Sequence, residues 1–283
     1  MQRTALQAGV HAESRAVHER MKRLRAIIEN SRVSSAYRYF TGPMSLQRRR
    51  RRFWKWSAED QKRLEFYRQF VNAGDLVFDV GANRGNRAKV FTRLGAVVVA
   101  VEPQTACADY LRAVFKNIPT FHLEKKALGD SVGQGEMLIS SAHTLSSLSH
   151  DWVRSVKASG RFAGNEWNRS EIVPIDTLDN LIALYGRPAF VKIDVEGFEY
   201  QVVSGLSAPV RALSMEFTPE CIDNTLKCVA YLGSIGDFRF QICPDESMEF
   251  LLPRWVTGQK IGEALSAFPS TAFGDLYARL TAH

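Results

Sequence analysis

The sequence holds few cysteines and does not pair them. Cys107, Cys221, Cys228 and Cys243 show no Cys-x-x-Cys spacing, which argues for free thiols in a reducing compartment and against a zinc site. No metal site is expected. No apolar run approaches the ~20 residues that cross a bilayer. The chain opens Met-Gln-Arg-Thr without an apolar core segment, so a signal peptide is not expected and the expected location is cytoplasmic. No Gly-Lys-Ser/Thr occurs anywhere, which excludes a P-loop. There is no internal repeat, and the only low-complexity tract is a run of arginines.

What is present fits one large domain, or a domain with an appendage: 283 residues, 45% hydrophobic and 24% charged. The net charge of +7 is unevenly spread. Residues 1–72 hold 17 Lys/Arg against 6 Asp/Glu, while the remainder holds 20 against 24. The basic character belongs to the N-terminal part.

Residues 2–30 read as a helix, because Val10, Val17, Met21, Leu24 and Ile28 recur at spacings of three, four and seven. Two readings stay open: an amphipathic helix docked on its own domain, or a short heptad seam forming a homodimer. Gly42-Pro43 breaks the pattern. Arg48 to Arg52 then precede Phe53, Trp54 and Trp56. This cluster reads as a linker with its rings tucked against the domain. A second reading is a peripheral contact with an anionic membrane through Arg48–Trp56, its rings at headgroup level. A phosphate track is a third reading, although no specific nucleic-acid partner is expected. The expected division is a basic helical extension over 1–56 and a catalytic domain over 57–283.

From Ser57, an N-cap followed by two acids, the chain alternates. Strands are expected at Leu76–Val80, Val97–Val101, Thr120–Leu128, Glu171–Ile175, Phe190–Asp194, Ala212–Phe217, Phe238–Ile242 and Met248–Leu252. Helices are expected at Arg87–Leu94, Ala106–Lys116, Thr177–Tyr185 and Glu220–Leu232, with short helices at the C-terminus. Such alternation means an α/β domain with a mostly parallel, doubly wound sheet. Residues 133–149 read as a hairpin and loop. Residues 150–170 give no clear element and read as a lid or substrate loop.

Ligands bind at the C-terminal ends of strands in such sheets. This sequence places there Gly81, Asn83 and Gly85 after the first strand. Glu102 stands after the second, 23 residues beyond Asp79, near the spacing at which an acid meets ribose hydroxyls. Asp130, then Asp194 with Glu196 and Glu199, and then Glu216 follow. The rim is acidic. It suits a ligand with a ribose, an exocyclic amine and a positive centre, which favours S-adenosyl-L-methionine over a nucleoside triphosphate or dinucleotide.

Asp79-Val-Gly-Ala-Asn-Arg-Gly85, Val101-Glu-Pro103, Ala127-Leu-Gly-Asp130, Thr177-Leu-Asp179 and Lys192-Ile-Asp-Val-Glu-Gly-Phe-Glu199 together resemble the FkbM-type methyltransferases over roughly residues 70–280. The resemblance implies the class I methyltransferase (Rossmann-like) fold, with an antiparallel strand near the C-terminus. It also implies S-adenosyl-L-methionine as cofactor and methylation of a hydroxyl on a sugar, glycan or natural product. In one departure, Asn86 and Arg87 stand where the family has an aromatic or small residue and then Ser/Thr.

The residues expected to bind the cofactor are Asp79, Gly81, Asn83, Gly85, Glu102, Asp130 and Asp194. Glu102 would accept both ribose hydroxyls and Asp130 the adenine amine. The expected catalytic base is Asp194, with His143 as the alternative. Glu196 and Glu199 read as acids at a helix start, or around a divalent cation with Asp194. Glu216 reads as structural or donor-side. Trp152 and Trp167 would stack on an acceptor sugar. An N-methyltransferase, or a scaffold that kept the fold, are the rival functions.

Overall fold

A computed structural model describes residues 46–269 and 272–281. The expected helix 2–30, its dimer seam and the Gly42-Pro43 break lie outside the described residues.

Leu-Val-Phe-Asp-Val at β1 (Leu76–Val80) and Val-Val-Val-Ala-Val at β2 (Val97–Val101) are runs of β-branched and apolar residues, buried over four of their five positions. Such runs suit strands covered on both faces. They form the centre of a seven-stranded sheet with β3 (Phe121–Glu124), β7 (Phe190–Ile193), β8 (Ala212–Phe217), β9 (Phe238–Pro244) and β10 (Gly274–Leu280). The order is β3-β2-β1-β7-β8-β10-β9. Strand β1 is parallel to β2 and β7, and β10 is antiparallel to both β8 and β9. The antiparallel strand is therefore the last one. Met248–Leu252, expected to close the sheet, is irregular. Its Leu251 amide donates to the Ile242 carbonyl at 2.8 Å, so the segment lies along β9 without becoming a strand.

The stretch expected as one strand over Thr120–Leu128 divides. Its second part, β4 (Ala127–Leu128), joins β5 (Gly133–Ser140) and β6 (Trp167–Asp176) in a separate three-stranded sheet. The segment expected to be irregular holds a helix, α5 (His150–Ser159), capped by the Ser149 hydroxyl. Its apolar positions Trp152, Val153 and Val156 make a small core with Leu145.

Helix α1 (Leu46–Phe53) carries the arginines. Its rings are docked: Phe53 lies edge-on to Tyr110 and Phe115, and the Trp54 indole donates to the Val114 carbonyl at 3.2 Å. Phe53 and Trp54 thus pack on α4 (Thr105–Phe115) and are not presented as headgroup anchors, while Arg48, Arg49, Arg51 and Arg52 remain exposed. Helix α2 (Ala58–Tyr67) begins with a capping box between Ser57 and Asp60. The Asp60 carboxylate accepts from Lys89 Nζ at 2.6 Å. Lys89 belongs to α3 (Asn86–Arg93), so this buried pair seats the helix that follows the glycine turn.

Among the described residues no helix is long and apolar enough to cross a membrane.

Candidate active site

The turn after β1 is shaped by a close approach. Gly81 has φ +78°, and a Cβ there would lie 1.8 Å from the Asp194 carbonyl oxygen. Only glycine fits between the end of β1 and the end of β7. Asn83 also lies in the left-handed region, at φ 50°. Gly85, at φ 82°, opens α3 against Leu111 and Phe115.

Glu102 is buried at the end of β2. One carboxylate oxygen accepts from the Asn83 amide at 2.6 Å and the other from the Gln104 amide at 2.8 Å. Each oxygen keeps a lone pair. Burial pushes the Glu102 carboxyl up to about 7, against the pull of the two amide bonds. A short turn, His143–Leu145, lies beside it. The His143 carbonyl accepts from Asn83 Nδ2 at 3.3 Å and Gln104 Nε2 at 2.9 Å. Ser146 donates to Gln104 Oε1 at 3.0 Å, and Ser147 donates to the Glu196 carbonyl at 2.6 Å. The segment 143–147 is thus a strap from the ribose-type acid to the loop after β7.

His143 therefore stands at the Glu102 end of the site. Burial, aided by the charge of Arg84, pulls its imidazole down to about 4. Its Nδ1 and the Thr144 hydroxyl are buried without a hydrogen-bond partner. Asp130 is exposed and accepts from the neighbouring Ser131 hydroxyl at 3.0 Å. No contact between it and Glu102 or Asn83 is recorded.

The other end is built on one face of the sheet. Asp79, Lys192, Ser214 and Asp275 are buried side chains; the strand register places the first three side by side, Asp79 opposite Lys192 and Lys192 opposite Ser214, and sets Asp275 opposite Glu216, two residues further along β8. Lys192 is 1% exposed. Its ammonium donates to Asp275 Oδ1 at 2.9 Å and Asp194 Oδ2 at 3.4 Å. Burial pulls it down, but the charges of Asp194 and Asp275 outweigh this and hold it well above the ordinary lysine value. Asp79 is pushed up to about 7 by burial, opposed by Lys192 and Arg87. Its Oδ2 has no partner, and neither does Arg87 Nε.

Above this layer, carboxylate oxygens of Asp194, Glu196 and Glu216 lie within 4.8 Å of one another. Burial and then the charge of Asp194 hold both Glu196 and Glu216 well above the ordinary carboxylate range. Glu199, expected as a neighbour in this group, turns away. Its carboxylate accepts from the Val195 and Gly197 amides at 3.2 Å each, and it acts as a turn brace. Glu216 takes its place. A trio this tight can share protons among its members or hold a cation.

Trp152 is 1% exposed and its indole donates to the Thr218 hydroxyl at 3.3 Å. It is a core residue under Gly197, not a platform for a sugar. The Trp167 indole donates to the Leu145 carbonyl at 2.7 Å, and Lys157 covers its ring at 5.3 Å.

The residues to which the sequence reading gave no site role are Lys192, Asp275 and Arg87. Period-two alternation already places Lys192 on the face of Asp79. Nothing local points to Asp275, which sits 83 residues away on a strand read as helical.

Buried polar atoms thus lack partners at both ends of the cleft: Asp79 Oδ2 and Arg87 Nε at one, His143 Nδ1 and Thr144 Oγ1 at the other. Acid in the middle and unfilled polar groups at each end fit a cationic ligand with an amino-acid end and a nucleoside end. With the sheet order and the glycine turn, these groups lie at the C-terminal strand ends of a Rossmann-like sheet, where ligands of open α/β sheets bind. The family description "Methyltransferase FkbM domain" matches residues 79–226, and the chain belongs to that family.

Among solved structures, the chain is similar to a precorrin-6y C5,15-methyltransferase from Geobacter metallireducens, at 12% identity over 78% of this chain and 87% of that one, with a TM-score of 0.42. It is similar to an O-methyltransferase from Bacillus cereus in complex with SAH, at 8% identity over 86% and 94%, TM-score 0.42. A magnesium protoporphyrin IX methyltransferase from Synechocystis with bound SAM shows 11% identity over 86% and 88%, TM-score 0.40. No curated protein matches the chain. Family membership rests on the domain match.

Proposed function

We propose that the protein methylates a hydroxyl group of a sugar, glycan or natural-product acceptor, with Asp194 taking the hydroxyl proton. The carrying observation is the carboxylate trio of Asp194, Glu196 and Glu216 at the ends of β7 and β8, directly beside the glycine turn. A hydroxyl nucleophile must lose its proton during transfer, and a positioned carboxylate can receive it.

S-adenosylmethionine supplies a methyl group on a positively charged sulfur. The chain's own residues then do three things. Glu102 accepts ribose hydroxyls through the lone pairs left free by its two amide bonds. The acidic edge attracts the cation and orients it against the Gly81 backbone. Lys192, from below, holds the Asp194 carboxylate in one place, so that the acceptor oxygen meets a fixed base. Such positioning supplies much of the barrier reduction in a bimolecular displacement. The location of His143 beside Gln104, at the Glu102 end of the site, supports Asp194 over it.

The exposed arginines of α1 support contact with an acidic or membrane-borne acceptor near an anionic surface. Asp130 retains its proposed place at the adenine edge.

Asp194→Asn tests the reading. Turnover on a hydroxyl acceptor, found by mass spectrometry of a sugar and glycan panel, falls about 100- to 10,000-fold, while calorimetry still detects donor binding through Glu102 and the remaining acids of the edge. Full turnover of the variant on an amine acceptor would move the enzyme to N-methylation. Absence of donor binding to the wild type would support the scaffold alternative. Activity lost to a chelator and restored by magnesium would reassign the trio from holding protons to holding a cation.

A further inference from the structure

Arg87 carries a buried side-chain nitrogen that nothing in the structure pairs. It is the second residue of α3. Its Nη2 donates to Glu246 Oε1 at 3.0 Å, and Glu246 also accepts from Arg63. Glu246 is largely solvent-exposed, so this tie holds the outer end of the guanidinium. The inner end is different. Arg87 Nε is buried and has no partner. Helix α3 follows directly on the turn that ends β1, and its Ala88, Val90 and Phe91 pack with Val77, Phe190 and Tyr277 on the sheet face that carries Asp79 and Lys192. There, Asp79 Oδ2 is an acceptor equally without partner.

Leaving such groups unsatisfied costs free energy. The pair is complementary to a specific chemistry. A lone anion would satisfy Arg87 and repel Asp79. A lone cation would do the reverse. A zwitterion satisfies both, and the α-amino acid end of the methyl donor is one. Lys192 does not compete for the anion, because Asp275 and Asp194 already occupy it.

We infer that Arg87 reads the α-carboxylate of the donor's methionine end, and so sets this enzyme's selectivity for the intact amino-acid moiety. The inference rests on S-adenosylmethionine as the ligand of this cleft. Arg87 does not touch the transferring methyl; it is a donor-specificity residue. A guanidinium offers a carboxylate a charge-assisted bond.

The test is a binding cycle by calorimetry on the full chain, with S-adenosylmethionine and its decarboxylated analogue as the two ligands. The wild type prefers the intact donor by about 10- to 100-fold. In Arg87→Met this preference collapses to within about 3-fold, because little remains to distinguish the two ligands. Arg87→Lys keeps the positive charge beside Glu246 and loses only part of the preference, and it serves where the methionine variant does not fold. Glu246→Gln cuts the outer tie but leaves the preference in place, whereas a purely structural Arg87 would show equal weakening of both ligands in every variant. An unchanged preference in a folded Arg87 variant overturns the inference. Failure of the wild type to bind either ligand overturns the donor reading itself, a different result.

Discussion

The two faces of the central sheet are built from the same strands by opposite rules. On one face Phe78, Val80, Val99, Val191, Ile193, Leu213, Met215 and Leu276 form an apolar core that continues to the strand ends. The other face starts equally apolar, with Val77, Phe190, Ala212 and Tyr277. It then turns polar toward the cleft: Val77 is followed two residues on by Asp79, Phe190 by Lys192, and Ala212 by Ser214 and Glu216. Strand β10 runs the other way, so its first residues deliver Asp275 to the same edge, opposite Glu216. A sealed face stabilises the sheet. A face that becomes charged at one end gives up part of that stabilisation and gains a site, since buried ion pairs seldom repay their desolvation.

The largest test of this contrast exchanges neighbours that point to opposite faces. Lys192→Met removes the cation shared by Asp194 and Asp275, leaving buried acids uncompensated, and costs about 3–5 kcal/mol in urea unfolding. Ile193→Val, one residue on, removes a single methyl from the apolar face and costs about 1 kcal/mol. Equal costs for the two would mean that the charged layer is not a mutually dependent unit.

Glu102→Gln sharpens the contrast at the cleft mouth. The amide that replaces one carboxylate oxygen faces the Asn83 or Gln104 N–H, donor against donor. Donor affinity in calorimetry falls about 10- to 100-fold, while the apolar face keeps the fold intact. An affinity within twofold of wild type would remove Glu102 from the ribose contact.

Much of this arrangement is legible along the chain, because strand ends can be counted. The glycine turn, Glu102 and Asp194 follow from where β-branched runs stop. What lies beneath them is not legible in the same way. Asp275 joins Lys192 only through a strand order in which the last strand inserts between two earlier ones. Gly274–Leu280 carries Asp, Tyr and Arg among its apolar residues, whereas Met248–Leu252 looks more like a strand, yet along β9 the Leu252 amide and carbonyl are taken by the Gln241 side chain instead of a backbone ladder. The insertion hides its structure for another reason: Trp152 reads as a surface aromatic until Val153 and Val156 are placed with it on a helix capped by Ser149. That cap and spacing were available signals. The docking of the half-buried Phe53 and Trp54 rings was not, since Tyr110 and Phe115 are reached only by docking two helices.

The smallest expected effect is on pH dependence, which the buried acids at the cleft end of the sheet dominate. Burial raises the carboxyls of Asp79, Glu102 and Glu199 to about 7 in the free protein, well above the ordinary range near 4. A carboxyl whose folded value is raised stabilises the fold fully below its unfolded value and loses that contribution as pH climbs through the folded one. The free protein should therefore lose Tm between about pH 4 and pH 7, a few degrees in scanning fluorimetry. Glu246 acts in the opposite sense. The charges of Arg87 and Arg63 hold it down to about 2, so its contribution is present above about 4.5 and disappears only as pH falls toward 2. A cationic donor favours the ionised forms of Asp79 and Glu102, so its affinity rises across the window in which the free protein weakens. With saturating S-adenosylmethionine the fall in Tm between pH 5 and 8 should shrink; a donor-induced Tm shift of constant size across that range would mean that neither acid changes protonation when the donor binds.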